Sequence, residues 1–459
     1  MAEAISRVGC LPSGSRYVVE VPARWNGVLL LSSHPVPVAP GEPPWEPDEP
    51  LTRHLVSMGY AVAGSANTIF WPLERVFADQ PDLVEVATGI LGPPLHTIAL
   101  GLSIGGIISA GALQVHPDLL SGALPLGGNL AGAVSNHNRE LDIAFVVKTL
   151  LAPDSPLRIV NIDNSQHNLA LATTVLHKAQ ATREGRARLA LAAAVGNIPG
   201  WHDPGSAEPA VDDFEARQRN QFTWFDMVGF LVFFLARKQV EMQAGANPSW
   251  NTGVDYRELL SRSINLKEVE ALYGSAALDL EDDLDRLACA ERVEACPAAL
   301  AYLENHIVFD GDLGGAPVLA VHTDGDGLVT PDHEQAYADV VHHARNGDLL
   351  RQLYVHRGGH CTFTFAETTT ALDVLIARIE NGGWPDLEPC TLNAAAGRLG
   401  TEAEVLASGP RARAGFFSFE PPVFARRYDH RDVAARRKAA TGARVEMAAV
   451  PAETMASAG

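Results

Sequence analysis

The chain has 459 residues, of which 47% are hydrophobic and 20% charged, so it can bury one large core with an insertion or two smaller cores. A formal net charge of −20 argues against nucleic acid and anionic membrane as partners, because both repel an acidic protein. Only five scattered cysteines are present, and neither a leader nor a membrane-length apolar run is found. A cytoplasmic protein without a disulfide framework is therefore expected.

Strands and helices alternate over the first 128 residues. The short runs of branched apolar residues predict strands at residues 17–21, 27–31, 60–65, 96–100 and 121–128. The segments between them predict helices at residues 51–58, 83–91 and 104–116. This alternation predicts a mostly parallel sheet with helices on both faces.

Helical patterns replace this rhythm over residues 129–315. The predicted helices span residues 142–151, 168–181, 183–195, 213–244, 256–263 and 279–295. Residues 224–234 are apolar all round, which favours a buried helix and is too short for a membrane span. An alternative interpretation is that Trp224 and Phe225 line an acyl or aryl pocket. The turn-rich loop at Trp250 is a further candidate for substrate binding.

The sheet pattern returns after residue 315. Strands are predicted at 317–322 and 350–356, and helices at 331–342 and 366–380. The last 35 or so residues show no clear apolar face and predict a surface arm. The predicted core is therefore formed by two segments, residues 1–128 and 316–425. A helical cap, residues 129–315, lies between them in the sequence, and a tail, residues 426–459, follows.

The sequence Gly-Leu-Ser-Ile-Gly at residues 101–105 lies between a predicted strand and a predicted helix. In this context G-x-S-x-G indicates a nucleophile elbow, a tight turn that requires small residues two positions either side of the serine. Ser103 is therefore the candidate nucleophile, and the amide of Ile104 is a candidate oxyanion donor at the start of the following helix. A glycine-rich turn without catalytic function is the alternative.

A serine nucleophile requires a base, and the base requires an acid that orients it. The first late strand runs into Thr-Asp-Gly-Asp-Gly at residues 323–327, a tight loop before a helix. Asp326 is the predicted acid, with Asp324 as a second choice and Asp332 as a third. Since Asp-Gly is also a strong turn pair, a merely turn-forming aspartate is the alternative.

The second late strand ends in Arg-Gly-Gly-His-Cys at residues 357–361. His360 is the predicted base, because the two glycines before it would let the loop fold back over Ser103. His356, which is still on the strand, is predicted to be structural. The order serine, aspartate, histidine is the order that this type of elbow enzyme uses.

These motifs resemble the α/β-hydrolase superfamily over roughly residues 15–385, with a large helical cap before the seventh strand. The resemblance implies a second oxyanion donor in the loop after an early strand, where the family carries His-Gly. Here the pair is His34-Pro35. Because proline has no amide hydrogen, the second donor is predicted to be Val36.

A narrower resemblance to tannase and feruloyl-esterase relatives comes from His360-Cys361. In those enzymes the cysteine bridges another cysteine just before the serine, but Leu102 occupies that place and no bridge can form. The Gly-Gly-His-Cys-Thr-Phe-Thr stretch at 358–364, with Trp-Asn-Gly at 25–27, is similar to bacterial hydrolases of the same superfamily.

The predicted function is that of a serine hydrolase cleaving a carboxylic ester of a fairly hydrophobic small molecule. No cofactor and no metal ion are expected, and a homo-oligomer is left open. Three alternatives also remain open: a thioesterase, lactone-forming or acyl-transfer enzyme; a serine peptidase or amidase; and a binding protein that uses the fold without catalysis. Because the cap determines specificity in such enzymes, the substrate is not readable from the sequence.

Overall fold

The structure is a computed structural model, and it describes residues 4–35, 49–66, 70–407 and 409–448. Its strands are β1 Ile5–Cys10, β2 Arg16–Val21, β3 Val28–Ser33, β4 Ala61–Ser65, β5 His96–Leu102, β6 Gly122–Leu126, β7 Val318–Gly325, β8 Leu350–Gly358 and β9 Phe416–Phe417. They form one sheet in the order β1-β2-β4-β3-β5-β6-β7-β8-β9. Neighbouring strands from β4 to β8 pair in parallel, whereas β1, β2 and β9 add antiparallel edges.

The first helices, in chain order, are α1 Pro50–Ser57, α2 Leu73–Leu91, α3 Ile104–Val115, α4 Ala133–Leu151, α5 Ser165–Gln180, α6 Arg183–Val195, α7 Phe214–Trp224 and α8 Phe230–Ala244. The others are α9 Tyr256–Ser261, α10 Leu266–Ala276, α11 Leu280–Cys289, α12 Pro297–Asn305, α13 Asp332–His343, α14 Phe365–Asn381, α15 Pro389–Arg398 and α16 His430–Ala448. None of the helices in the described ranges is both long and apolar enough to cross a membrane.

The central strands are buried on both faces, and their side chains alternate between two cores. On β3, Leu29 and Leu31 join the core that contains α2, α3 and α13, whereas Val28 and Leu30 join the core that contains α1, α14 and α15. This alternation follows from the two-residue period of a strand. It explains why the parallel strands are continuous apolar runs rather than alternating ones.

The insertion between β6 and β7 is helical, with its own core drawn from α4 to α11. One predicted helix, at residues 213–244, is two helices joined by a π-helical turn at Phe225–Gly229. The predicted helix at 279–295 ends at Cys289, and α10 and α12 lie where the sequence analysis predicted no helix. The two longest predicted helices of this insertion, which we call the cap, are therefore shorter in the structure, whereas α4 begins nine residues before the helix predicted at 142–151.

The C-terminal segment is more ordered than the predicted surface arm. Helix α16 begins at His430, and Arg436 on it forms an ion pair with Glu304 of α12. The Tyr428 hydroxyl donates a hydrogen bond of 2.7 Å to the same carboxylate. The segment is held by charged and polar contacts, which is why an apolar stripe was not visible in its sequence.

Candidate active site

Ser103 lies at the sharp turn from β5 into α3. Its backbone has φ 59° and ψ −121°, a conformation that non-glycine residues rarely adopt. A Cβ on Gly101 would lie 2.0 Å from the carbonyl oxygen of Gly105, and a Cβ on Gly105 would lie 2.0 Å from that of Ser33. Both glycines are therefore required by close backbone approach, as the elbow interpretation predicted.

The start of α3 adjoins the loop that follows β3. The Ser103 side chain makes no capping hydrogen bond to the first turn of α3, so it does not occupy the amides there. Gly105 lies against the carbonyl oxygens of Ser33 and His34, which brings the predicted oxyanion loop next to the helix start. Val36, the predicted second donor, lies outside the described residues.

Asp326 is fully buried in the loop after β7. Its Oδ1 accepts hydrogen bonds of 3.0 Å from the amides of Leu328 and Val329. Its Oδ2 accepts from Nδ1 of His360 at 2.6 Å. The loop backbone thus fixes one carboxylate oxygen and leaves the other for the imidazole.

The His360 loop is folded around a buried ion pair. Arg357, at the end of β8, binds both carboxylate oxygens of Glu367 at 2.8 and 3.0 Å and donates to the carbonyl of Thr362 at 2.6 Å. Glu367 also completes a capping box with Thr364 at the start of α14. These contacts hold both ends of the turn that carries His360.

The three predicted triad segments meet at the end of β6. The Ser103 amide donates to the carbonyl of Leu126 at 2.9 Å, and Sγ of Cys361 lies 3.6 Å from the same oxygen. A Cβ built on the adjacent Gly127 would lie 3.7 Å from Oδ2 of Asp326 and 3.8 Å from Cε1 of His360.

Within the described residues, no hydrogen bond joins the Ser103 hydroxyl to the imidazole of His360. Such contacts often tighten only when substrate binds. Burial alone would lower the pKa of His360, but the charges and hydrogen bonds of Asp326 and Cys361 raise it well above 6.5. The imidazole is therefore a strong base.

The two alternative acids, Asp324 and Asp332, have other hydrogen-bond partners. Asp324 accepts hydrogen bonds from Nδ1 of His356 at 2.7 Å and from the amide of Arg357 at 2.9 Å. Asp332 is buried and accepts hydrogen bonds from Thr330 and Asn197 at 2.5 and 3.1 Å. Neither carboxylate contacts His360.

Two of the three predicted substrate-binding residues line one pocket beside the acid loop. Trp224 and Phe225 form part of its wall, together with Leu328. The Trp224 indole packs against Gly327, which directly follows Asp326 in the chain. Trp250 lies elsewhere, against Tyr428 and under the guanidinium of Arg426.

The sequence analysis missed a buried pair behind Asp326. His322 on β7 contacts Glu334 of α13 at 2.9 Å and lies 3.7 Å from Oδ2 of Asp326. The available signal was a histidine at the end of an apolar strand and, twelve positions later, a glutamate in the first turn of the next helix.

The sheet order, the strained serine after β5, and the acid and histidine after β7 and β8 define an α/β-hydrolase fold. No model of a known protein family matches the chain. Over 435 residues, it is 30% identical to o-phthalyl amidase of Xanthobacter agilis, an alignment covering 87% of this chain and 93% of that protein. The chain therefore belongs to the family of o-phthalyl amidase, and it is a hydrolase of ester or amide bonds.

Solved structures give weaker similarities. Feruloyl esterase B of Aspergillus oryzae is 14% identical with a TM-score of 0.40, over 83% of this chain and 81% of that one. Esterase RhEst1 of Rhodococcus sp. is 13% identical with a TM-score of 0.36, over 83% of this chain and 100% of that one. The fold assignment rests on the sheet and the elbow rather than on these scores.

Proposed function

We propose that the protein is a serine amidase that hydrolyses amides of aromatic carboxylic acids. Ser103 Oγ attacks the amide carbonyl while Nε2 of His360 takes the hydroxyl proton. Asp326 holds Nδ1 of the imidazole and stabilises the imidazolium that forms. The Ile104 amide donates to the developing oxyanion at the positive end of α3.

The second half of the reaction regenerates the serine. His360 returns its proton to the leaving nitrogen, the C–N bond breaks, and an acyl-enzyme remains on Ser103. His360 then takes a proton from water, whose oxygen attacks the acyl carbon, and Ser103 leaves with that proton. Val36 as the second oxyanion donor stays a prediction.

One observation above all supports this proposal: the 2.6 Å hydrogen bond between Asp326 and His360, next to a serine with a left-handed backbone. The two groups come from separate strand ends, and a turn-forming aspartate would have no reason to meet the imidazole. A non-catalytic binding protein would need neither this pair nor the strained elbow.

The sequence led us to expect ester cleavage, but we favour amide cleavage because of the activity that the relative is named for. A protein that aligns with this chain over nearly its whole length is an amidase by name. The same triad also cleaves activated esters of the same acid, because their leaving groups depart more easily. Ester hydrolysis is therefore expected alongside amide hydrolysis.

We propose that the aromatic acyl group binds in the pocket beside the acid loop. Trp224, Phe225 and Phe233 line it, and flat aromatic surfaces favour a flat aromatic ligand. The name of the relative indicates a ring with carbonyl groups on neighbouring carbons. In a monoamide of such a diacid the second carbonyl group is a free, anionic carboxylate, so a positively charged side chain in the pocket could bind it.

Arg139 on α4 supplies that positive charge. It is buried, lines the pocket, and donates to the carbonyls of Gly196 at 2.8 Å and Leu328 at 3.3 Å. Its Nη2 is buried without a hydrogen bond to any described residue. Burial lowers the pKa of Arg139, although the charge of Asp332 opposes the shift. We propose that this guanidinium favours substrates carrying a carboxylate.

Glu140 also lines this pocket, and its carboxylate is already engaged. Asn136 donates to Oε1 and His137 contacts Oε2, both at 3.1 Å. Arg139, in contrast, has no carboxylate within 4.0 Å among the described residues. The charges of Asp332, Glu140 and Asp326 offset part of the cost of burying this cation, and an anionic ligand near Nη2 would offset more of it.

The test compares 2-carboxybenzanilide, its 4-carboxy isomer, benzanilide and an aliphatic anilide, each with the corresponding 4-nitrophenyl ester. We expect hydrolysis of the aromatic amides and esters, and its loss in folded Ser103→Ala. Folded wild-type protein that hydrolyses none of these amides or esters would contradict the proposal. Cleavage of the esters but not of the amides would indicate an esterase, as the sequence predicted.

Arg139→Met tests the contribution of the carboxylate. We expect kcat/KM for 2-carboxybenzanilide to fall about 10- to 100-fold, the loss of one charge-assisted hydrogen bond, with a smaller change for benzanilide. The uncharged substrate controls for any disturbance of the fold. Equal losses for both substrates would contradict a carboxylate-binding role.

A further inference from the structure

His322 has an acceptor at each ring nitrogen. Nδ1 lies 2.9 Å from Oε1 of Glu334, and Nε2 lies 2.8 Å from the carbonyl oxygen of Val329. The second oxygen of Glu334 accepts a 2.7 Å hydrogen bond from Gln352, as an ionised carboxylate does. An imidazole between a carboxylate and a carbonyl carries protons on both nitrogens, which makes it a cation.

This buried cation lies directly behind the proposed catalytic acid. Nε2 of His322 is 3.7 Å from Oδ2 of Asp326, the same oxygen that accepts from His360 at 2.6 Å. His322 and both oxygens of Asp326 are fully buried. The carboxylate thus lies between two imidazoles, one facing the site and one facing the core.

The backbone of Val329 is hydrogen-bonded to both His322 and Asp326. Its amide donates to Oδ1 of Asp326 at 3.0 Å, and its carbonyl accepts from His322. A change at His322 would therefore be transmitted to the acid through one peptide unit as well as through the charge. Two effects, position and charge, have to be separated by experiment.

Other charged and titratable groups act on His322 or on its two carboxylate partners. Asp332 and His333 on α13 interact with His322 itself, Tyr337 on α13 and Tyr354 on β8 interact with Glu334, and Arg139 on α4 and His360 interact with Asp326. Burial holds the pKa of His333 well below 6.5, so that ring is neutral. Burial also raises the pKa of Asp332, which faces Arg139.

The electrostatics agree with a charged His322. Burial alone would lower its pKa, but the hydrogen bond and charge of Glu334, followed by the charge of Asp326, raise it above 6.5. The low dielectric of the interior makes a charge at this distance effective.

We propose that the buried His322–Glu334 pair is a positioning and charge-tuning element of the triad. The pair holds the acid loop against β7, and the positive charge of His322 partly offsets the negative charge of Asp326, so that His360 releases its proton nearer to neutral pH. The inference rests on the proposed function, because it concerns the base of the Ser103 mechanism.

The test uses His322→Gln/Glu334→Gln, which replaces the charged pair by two neutral amides of similar reach. Since kcat/KM requires neutral His360, it falls as the pH drops through the pKa of that residue. Removing the offsetting cation should move this acid limb upward by about one pH unit, with the high-pH plateau within about 3-fold of wild type. The matched control is His356→Gln, from the His356–Asp324 pair outside the site, which should not move the limb.

If the acid limb of the folded double variant lies within 0.2 pH unit of the wild-type limb, the charge role is overturned. A shift of that size corresponds to about 0.3 kcal/mol, at ~1.4 kcal/mol per pH unit. A lower plateau with an unshifted limb would overturn it as well, since it would reveal a merely structural contact. If the wild type hydrolyses nothing and Ser103 resists a fluorophosphonate probe, the proposed function itself has failed instead.

A second measurement keeps the inference testable if the double variant does not fold. In wild-type protein labelled with ¹⁵N-histidine, the His322 resonances should show protons on both ring nitrogens across the neutral range. They are assigned by comparison with the single variant His322→Gln. A His322 ring with one proton would contradict the proposed cation.

Discussion

The sheet and the cap both bury charge, but they arrange it differently. At the end of the sheet the buried groups form one connected chain, from His360 through Asp326 and His322 to Glu334. In the cap the buried charges form separate pairs, such as Arg188 of α6 with Asp283 of α11.

Another such cap pair joins Arg217 of α7 to Glu268 of α10. Fully buried Arg237 binds Glu241 on its own helix, with Asn247 and Ser249 completing its hydrogen bonds. The difference teaches that the connected charges at the end of the sheet serve the proposed chemistry, whereas the ion pairs of the cap serve packing; Arg139 of α4, which forms no ion pair with a described residue, is the exception. Substitutions in the two regions should therefore separate activity from stability.

The largest expected effect comes from Gly105→Ala, because the new methyl group would meet the carbonyl of Ser33 at 2.0 Å. We expect loss of soluble folded protein or of essentially all hydrolysis, measured by soluble yield and initial rate. The matched control is Gly274→Ala in the cap, where a Cβ meets nothing within 4 Å. That change should stabilise α10 by about 0.5–1 kcal/mol and leave the rate unchanged.

The next largest effect on the rate is expected for Asp326→Asn, which keeps the shape of the acid but favours the wrong tautomer of His360. By analogy with other serine triads, kcat should fall about 10⁴-fold. Asp324→Asn, two residues earlier and bonded to His356, is the comparison and should cost less than about 10-fold. A larger loss at Asp324 than at Asp326 would reverse our assignment of the acid.

In the cap, Asp283→Asn should act on stability alone. Asp283 is buried and binds Arg188, Arg286 and Tyr273, so its loss leaves two partly exposed arginines without a counter-charge and weakens the hydrogen bond of the buried Tyr273 hydroxyl. We expect a decrease of about 1–3 kcal/mol in the free energy of unfolding, measured with urea. The rate per folded molecule should stay within about 3-fold of wild type.

The control for Asp283 is Arg257→Ala. Arg257 forms ion pairs with Glu281 and Asp285 on the surface of the same cap. Because exposed ion pairs contribute little, its removal should leave the urea midpoint nearly unchanged. Equal destabilisation by both variants would contradict the view that buried pairs hold the cap together.

The smallest expected effect is a shift of the pH profile in Cys361→Ser. The Cys361 sulfur helps to raise the pKa of His360, so replacing it should lower that pKa. The acid limb of kcat/KM should therefore move to lower pH by a fraction of a unit. Cys390→Ser, an exposed cysteine on α15, should leave the profile unchanged. An upward shift in Cys361→Ser would contradict the sign.

The elbow was predictable from the sequence because its requirement is local. Ser103 needs a strand before it, a helix after it and glycines two positions away, and all of these are adjacent in the chain. The fold was predictable for a related reason, since buried parallel strands alternate with helices in simple order. Asp326 and His360 followed from where later strands end.

The rest depended on contacts between distant segments. His322 is one polar residue in an apolar strand, and its spacing from Glu334 and Asp326 is by itself too weak a signal to predict that the three side chains meet. In the cap, helices pack on many faces at once, so the break at Phe225–Gly229 left no periodic signal. The short helix α10 carries Glu268, whose ion pair with Arg217 of α7 no sequence pattern predicts.

The most direct test of the triad is reaction with a fluorophosphonate followed by peptide mapping. The account predicts a single phosphonyl adduct on Ser103, absent from Ser103→Ala and formed far more slowly in His360→Ala. A stoichiometric adduct on another residue, or labelling of Ser103 at the same rate without His360, would contradict the proposed catalytic unit.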